Sequence, residues 1–322
     1  MPAMRAMVYR SYGGPEKLEP MELDTPTPKM GALSIRVRAA SVNPVDWKKA
    51  SGMLRLIQPA SFPIVPGYDV AGEVMGLGPG VSGFSIGDRV HARIKESKGG
   101  ACAEIAVAGV DVTCPIPTGM GFAEAAALPL AGMTALQGLR DGGKLGSGKL
   151  GTNDPGKRVL VVGASGGVGH VAVQVARAWG AHVVGVCSSR NVALVRELGA
   201  HEVIDYTKDD AFAGQAPFDI ILDCVGGPMG TWLAMLTPKG HYASCLPGPA
   251  VIARSALNLA CARQVTAVIL RPRAADLALL DGLFESGKLR VVIDSRFPLE
   301  KLADAWTRSI TGRAAGKVVI EV

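Results

Sequence analysis

Residues 159–192 read "VLVVGASGGVGHVAVQVARAWGAHVVGVCSSRNV". An apolar run breaks into four glycines within seven residues (Gly163, Gly166, Gly167, Gly169), turns helical, and returns to a second apolar run that stops at Cys187-Ser188-Ser189-Arg190. A glycine turn between a strand and a helix is what a pyrophosphate needs. Only glycine lets the backbone N–H groups come close to the anion, and the helix start adds its positive end. With a second strand following about 20 residues on, the stretch predicts a dinucleotide-binding unit. The bland alternative is a tight structural turn. At the end of the second strand, NAD sites usually carry an acid that accepts from the adenosine ribose hydroxyls. Ser188, Ser189 and Arg190 stand there instead, two hydroxyls and a guanidinium that suit a 2′-phosphate, so the expected cofactor is NADPH. Arg190 as a solvated residue is the competing reading. Tyr206, closing the third strand in "VIDY", is expected either to cover that phosphate or to be a plain strand tyrosine.

Working outward, the apolar runs "RVLVVG", "HVVGVC", "EVIDY", "FDIILDCVG", "GHYASCL" and "VTAVIL" alternate with helical stretches. This order predicts a doubly wound parallel sheet of six strands. Residues 1–127 hold short β-type runs such as "LSIRVRAASV" and "DVAGEVMGLG" between turn signals, which predicts a mostly β domain. The glycine-rich "DGGKLGSGKLGTNDPGK" is expected to be an exposed linker. The tail, with two amphipathic helices and two strands, is expected to return to the first domain. The predicted division is 1–127 with 272–322 for the β domain and 128–271 for the nucleotide-binding domain, with the cleft between them.

With 48% hydrophobic and 19% charged residues the chain reads as globular, and 34 Lys+Arg against 28 Asp+Glu leaves only +6 with no long basic run. That fits a small anionic ligand better than a nucleic-acid surface, without deciding between them, and no nucleic-acid partner is expected. The six cysteines form no CxxC pair and read as reduced thiols, and no apolar stretch approaches a membrane span, so a cytoplasmic protein is expected. A removed organelle presequence is the open alternative.

The motifs "MRAMVYRSYGGPEKLEP", "SVNPVDWK", "PGYDVAGEV", "GDRV", "AAALPLAGMTAL", "GASGGVG", "RELGAHEVIDY" and "GKVVIEV" occur in the order of the medium-chain dehydrogenase/reductase superfamily, which the chain resembles over essentially its full length. Through "NPVDWK", "CSSRNVALVRELGA" and "VVIDSRFPL" it is most similar to the zinc-independent quinone oxidoreductases, in the chloroplast-envelope quinone oxidoreductase homologue and 2-alkenal reductase branch. The resemblance implies a GroES-like domain beside the Rossmann-type sheet and NADPH-dependent reduction of quinones, enones or 2-alkenals. The zinc alcohol dehydrogenases of the superfamily bind their metal with a Cys three residues before an Asp and with the His of a Gly-His-Glu triplet. Here Asn43 precedes Asp46, and Gly67-Tyr68-Asp69 replaces the triplet, so no metal is expected.

Without a Lewis acid, conjugated acceptors are the expected substrates, because hydride addition puts charge on an oxygen that a hydrogen bond or cation can hold. The candidate catalytic residues are Asn43, Lys48, Tyr68 and Thr134. Lys48 is expected to stabilise that oxygen or to be simply solvated, and Tyr68 to donate to it or to form an apolar wall. The expected cofactor contacts are Asn43, Thr134, Ser165, Gly166, Gly167, Val168, Ser188, Ser189, Arg190, Tyr206, Cys224, Val225 and Leu246. Apolar residues of "GMLRLIQPASFPIV" are expected to line either an acceptor pocket or a core. A protein that binds NADPH without useful catalysis is the competing class. A homodimer joined through residues near Val265 to Leu270 is expected from an uncapped sheet edge, with a covered edge and a monomer as the alternative.

Overall fold

The computed structural model describes residues 3–56, 58–59, 61–95, 99–146, 156–258 and 263–322. The chain opens with a two-stranded antiparallel sheet, β1 (Ala3–Val8) and β2 (Glu19–Asp24). There follow β3 (Ala32–Val42), α1 (Pro44–Ala50), β4 (Asp69–Leu77), β5 (Arg89–Arg93), β6 (Ile105–Gly109), β7 (Thr113–Pro115), α2 (Phe122–Ala127) and α3 (Pro129–Gln137). The middle of the chain carries β8 (Arg158–Val162), α4 (Gly169–Ala178), β9 (His182–Cys187), α5 (Val192–Glu197), β10 (Glu202–Asp205), β11 (Phe218–Asp223), α6 (Met229–Ala234), β12 (Leu236–Ser244), α7 (Pro249–Ala256) and β13 (Gln264–Ala267). It closes with α8 (Ala274–Glu285), β14 (Ile293–Pro298), α9 (Leu302–Ile310) and β15 (Lys317–Glu321).

Two compact units result. The first comprises Met1–Leu130, Pro272–Asp281 and Val291–Val322, and the second Ala131–Arg271 with Gly282–Arg290. The boundaries differ from the expected ones at Leu128–Leu130, which cluster with the first unit, and at Gly282–Arg290, which cluster with the second. The reason for the latter is a side-chain clip: Gln174 of α4 donates from Nε2 to Arg290 O at 2.9 Å and accepts the Arg290 N–H at 2.8 Å.

In the first unit the sheet order is β14-β15-β3-β4-β5-β7, with β6 also on β3. β3 is the hub, antiparallel to β4, β6 and β15. Its apolar residues Leu33, Ile35 and Val37 are almost fully buried, packed with Val70, Val90, Trp306 and Ile320. Alternation along β3 relaxes near Ala39–Val42, where successive residues are all buried, so this end of the strand has protein on both faces.

In the second unit the order β10-β9-β8-β11-β12-β13 is parallel throughout, a mixed α/β Rossmann-type sheet. Continuous valine runs explain it: Val159–Val162 and Val183–Val186 are buried on both faces, as central parallel strands require. The run "VTAVIL" gives a strand only over Gln264–Ala267, although Val268 N–H still donates to Ser244 O at 2.9 Å. The stretch expected to be an exposed linker begins buried instead. Gly142 and Gly143 are buried, and a Cβ on them would meet Ala243 Cβ at 2.9 Å and Ile220 Cγ2 at 2.7 Å. These glycines are there for close approach to the sheet, not for flexibility; residues 147–155 of that stretch lie outside the described residues. Among the described residues no helix is long and apolar enough to cross a membrane.

Candidate active site

In the first unit, the site grows from the end of β3 and the start of α1. Pro44 fixes the helix start and Asp46 Oδ2 accepts the Asn43 N–H at 2.6 Å, so Asp46 is a capping residue, as a carboxylate in the first helical turn favours. Burial pushes the Asp46 carboxyl up to about 7, and the charge of Asp69 adds to it against the Asn43 hydrogen bond, Lys317 and Arg93. Asn43 is 1% exposed, and its amide is fully oriented. Nδ2 donates to Asp69 Oδ2 at 2.9 Å and to Ser41 O at 3.4 Å, while Oδ1 accepts from Lys317 Nζ at 2.5 Å. Both amide hydrogens are thus used internally, and the second lone pair of Oδ1 is what remains for a ligand.

Lys317 reaches this place from β15, at the far end of the chain. Its ammonium is buried, donates also to Val42 O at 3.2 Å, and lies 3.8 Å from Asp69 Oδ2. Burial pulls its pKa down, and the carboxylates Asp69 and Asp46 oppose that shift. Asp69 is held in turn by Ser41 Oγ at 3.0 Å and by the Leu130 N–H at 3.0 Å. The pairing of β15 with β3, Val318 opposite Val42, is what brings Lys317 to this place.

Tyr68, where the zinc branch has its histidine, is buried, and its Oη accepts from Lys49 Nζ at 3.2 Å. The Arg93 guanidinium lies 4.3 Å from the Tyr68 ring centroid. Burial, with the charge of Asp46, raises the phenol to about 12, while Arg93 works the other way; burial also lowers Lys49. The lysine beside Tyr68 is Lys49. Lys48 Nζ lies over the Trp47 ring, 5.5 Å from its centroid. Consecutive helical residues point about 100° apart, so Lys48 and Lys49 present their charges to different faces of α1. Of the stretch expected to line a pocket or core, Ile64 is core, whereas Met53, Leu56 and Phe62 are exposed, and residues 57 and 60 lie outside the described residues.

In the second unit the glycine turn follows β8. Gly163 has φ +77°, and the Gly166 N–H donates to Gly163 O at 3.0 Å. A Cβ on Gly169 would sit 2.1 Å from Gly163 O, so any side chain there would push α4 off the turn. Ser165 is buried and accepts from Asn191 Nδ2 at 2.9 Å, whereas Gly166, Gly167 and Val168 are partly exposed at the helix start. Thr134 is buried on α3, which Gln137 clips to Arg271 with bonds of 2.7 and 3.0 Å. Cys224, Val225 and Leu246 follow the ends of β11 and β12, with Val225 and Leu246 exposed. Asp223 anchors the loop there, accepting the N–H groups of Val225, Gly226 and Gly227 at 2.9, 2.9 and 2.8 Å and the Tyr242 hydroxyl at 2.8 Å.

Ser188 is partly exposed, and Ser189, Arg190 and Tyr206 are exposed. The structure adds a residue to this group that was not expected. Asp205 is level with Cys187 in the β9–β10 ladder, and its Oδ2 accepts from Ser189 Oγ at 2.5 Å; Thr207 Oγ1 donates to its Oδ1 at 2.7 Å. These bonds, Ser189 first, hold the Asp205 carboxyl below its usual range. No acid ends β9, but the next strand supplies one beside it. Among the described residues no cluster of three or more His, Cys, Asp or Glu side chains is arranged to hold a metal ion. His91 is a core residue, with Nδ1 against Ala125 O at 3.0 Å and Nε2 against Asp281 at 3.1 Å.

Comparison with known proteins agrees with this architecture. Residues 29–137 match the family described as alcohol dehydrogenase GroES-like domain, and residues 198–320 the family described as zinc-binding dehydrogenase. The chain is 41% identical to the chloroplast envelope quinone oxidoreductase homolog of Arabidopsis thaliana, covering 99% of this chain and 98% of that one. It is 35% identical to the 2-methylene-furan-3-one reductase of Solanum lycopersicum over 98% of this chain and 79% of that protein. To the human mitochondrial NAD(P)H oxidoreductase RTN4IP1 it is 36% identical over 89% of this chain and 81% of that protein. Among solved structures, the quinone oxidoreductase from Coxiella burnetii superposes with a TM-score of 0.88 at 31% identity over the full length of both chains. The chain belongs to the medium-chain dehydrogenase/reductase superfamily, as an oxidoreductase beside the chloroplast envelope quinone oxidoreductase homologues.

Proposed function

We propose that the protein is an NADPH-dependent, zinc-independent oxidoreductase acting on conjugated carbonyls or quinones. The observation that carries this reading is the Tyr68 hydroxyl held by Lys49 with Arg93 over its ring, a phenol and two cations where the zinc branch has a metal ligand. Zinc does not fit these residues. Asn43 and Tyr68 replace the ligands, and the Lys317 ammonium already sits 2.5 Å from Asn43 Oδ1, where a second cation would be repelled.

The glycine turn suits a nicotinamide dinucleotide. Backbone N–H groups of Ser165, Gly167 and Val168 would hold its pyrophosphate at the start of α4, Ser188, Arg190 and Tyr206 its 2′-phosphate, and Thr134, Cys224, Val225 and Leu246 its nicotinamide half. When bound, the cofactor supplies a hydride. The chain's own part is to exclude water and to steady negative charge on the acceptor oxygen. Tyr68 Oη accepts from Lys49, and its high pKa keeps the phenol protonated at neutral pH, the form in which it would donate to that oxygen. Lys49 acts through Tyr68 and is a positioning residue.

Asp205 bears on cofactor choice. It engages Ser189, so Arg190 and Ser188 are left as the main 2′-phosphate contacts. NADPH should still bind at least tenfold tighter than NADH, about 1.4 kcal/mol, and Arg190→Ala should erase most of the gap. The proposed assembly is a homodimer through the terminal strand β13, and the proposed compartment is the cytoplasm, although the relatives' names are chloroplastic and mitochondrial. The deciding experiment is NADPH oxidation at 340 nm with quinones, 2-alkenals and long-chain ketols after prolonged chelation. Turnover with one class supports the reading; tight NADPH binding with no turnover favours a binding protein, and activity lost with removal of stoichiometric zinc defeats it.

A further inference from the structure

Cys224 and Cys245 are the first residues beyond β11 and β12. The parallel ladder keeps them level: Asp223 pairs with Ser244, and the Cys245 N–H donates to Asp223 O at 2.8 Å. Residues at one level on adjacent parallel strands point to the same face. Both are free thiols and both residues are partly exposed. A hydrogen bond with the Cys245 side chain, with burial, raises the Cys224 thiol well above its usual range, in keeping with the level the ladder gives the two residues. Adjacent strands run about 4.8 Å apart, inside the roughly 4.4–6.8 Å Cα separation that a disulfide spans.

We propose that Cys224 and Cys245 are a dithiol modification site that a low-molecular-weight disulfide converts to an internal disulfide, and that the bond weakens dinucleotide binding. The second half rests on the cofactor reading above. The Cys245 thiolate attacks one sulfur of the small disulfide, releasing one small thiol and leaving a mixed disulfide. The Cys224 thiolate then attacks the Cys245 sulfur and releases the second small thiol. Two protein thiols are oxidised, one small disulfide is reduced to two thiols, and the two thiol protons pass to them.

Coupling to the cofactor follows from the neighbours. A disulfide needs the two Cβ atoms about 3.8 Å apart, roughly 1 Å closer than the strand spacing. The contraction falls on the loop that begins at Cys224, whose Cβ lies 3.8 Å and whose neighbour Val225 Cγ1 lies 2.6 Å from where a Cβ on Gly163 would stand. That loop is pinned through the Asp223 carboxylate, so Cys224 cannot move without shifting the wall of the glycine turn.

Trypsin separates the relevant cysteines, Cys224 in residues 209–239, Cys245 in 240–254 and Cys261, outside the described residues, in 255–263. The full chain is treated with glutathione disulfide, alkylated, digested and mapped by mass spectrometry, and NADPH affinity is measured in parallel by fluorescence. The expected result is the 209–239 peptide joined to 240–254 without bound glutathione, and NADPH binding at least tenfold weaker, restored by dithiothreitol. Cys245→Ser should hold its affinity through the same treatment. Glutathione retained on Cys245, a Cys245–Cys261 link, or unreacted thiols would each overturn the site. A linked pair with unchanged NADPH affinity would overturn the coupling. Should the reduced protein bind no NADPH, the cofactor reading and the coupling both fall, while the peptide map still decides the disulfide.

Discussion

Replacing Lys317 by Met should be among the most damaging single changes in the first unit. The ammonium is 4% exposed and its partner Asp69 is 0% exposed, so neither group can turn to water when the other is lost. Methionine fills most of the volume but leaves the Asp69 carboxylate with only three hydrogen bonds, from Ser41, Asn43 and Leu130, and no counter-charge at 3.8 Å. Breaking a buried ion pair from one side costs about 3–5 kcal/mol. At about 2–4 °C per kcal/mol for a unit of this size, the midpoint should drop by roughly 6–20 °C. Thermal unfolding followed by tryptophan fluorescence reads this. Asp69→Asn combined with Lys317→Met should recover part of the loss, because the double variant buries no unpaired charge. A single variant within about 0.5 kcal/mol of wild type, or a double variant as damaged as the sum of the singles, would refute the pairing.

Three further outcomes are expected. Asp46 has a folded pKa of about 7 against 3.8 unfolded, so the unfolded chain releases its proton first; stability should fall as pH rises from about 4 to 7, by at most about 4 kcal/mol, then level off. Asp69, Lys317 and Arg93 face the same carboxyl, and chemical denaturation across that range should show the slope flattened in Asp46→Asn, an unchanged slope counting against the assignment. Asp205→Asn should raise the preference for NADPH over NADH, because it removes a like charge beside the proposed 2′-phosphate contacts, and equal ratios by fluorescence titration would remove Asp205 from cofactor choice. Val268→Lys should turn the proposed dimer into a monomer by light scattering; a dimer that survives places the interface elsewhere.

What the sequence made legible was local. The glycine turn, the valine runs and their helices announce a parallel sheet because each element's signal lies within its own residues, and their alternation announces six strands wound with helices. What it hid depended on rotation or register. Lys48 and Lys49 are both in "DWKK", and only the helix's actual phase sends the second to Tyr68. Asp205 was legible as the end of a strand but not as a neighbour of Ser189, which needs the level of β10 against β9. Lys317 is far from Asn43 in the chain, and its place beside that amide exists only once β15 lies on β3.

That last pairing also sets an order of events during synthesis. The six strands of the second unit leave the ribosome one after another between residues 158 and 267 and need nothing outside that span to complete their sheet. Asn43 and Lys317, by contrast, are 274 positions apart. At about 5–20 residues per second, β3 waits roughly 15–50 s for its partner β15. In that interval the edge of β3 that β15 will cover, and the Asp69 carboxylate that Lys317 will neutralise, must be tolerated without them. The nascent first unit is therefore the segment of this protein that most needs a chaperone, and the nucleotide-binding unit is complete before it.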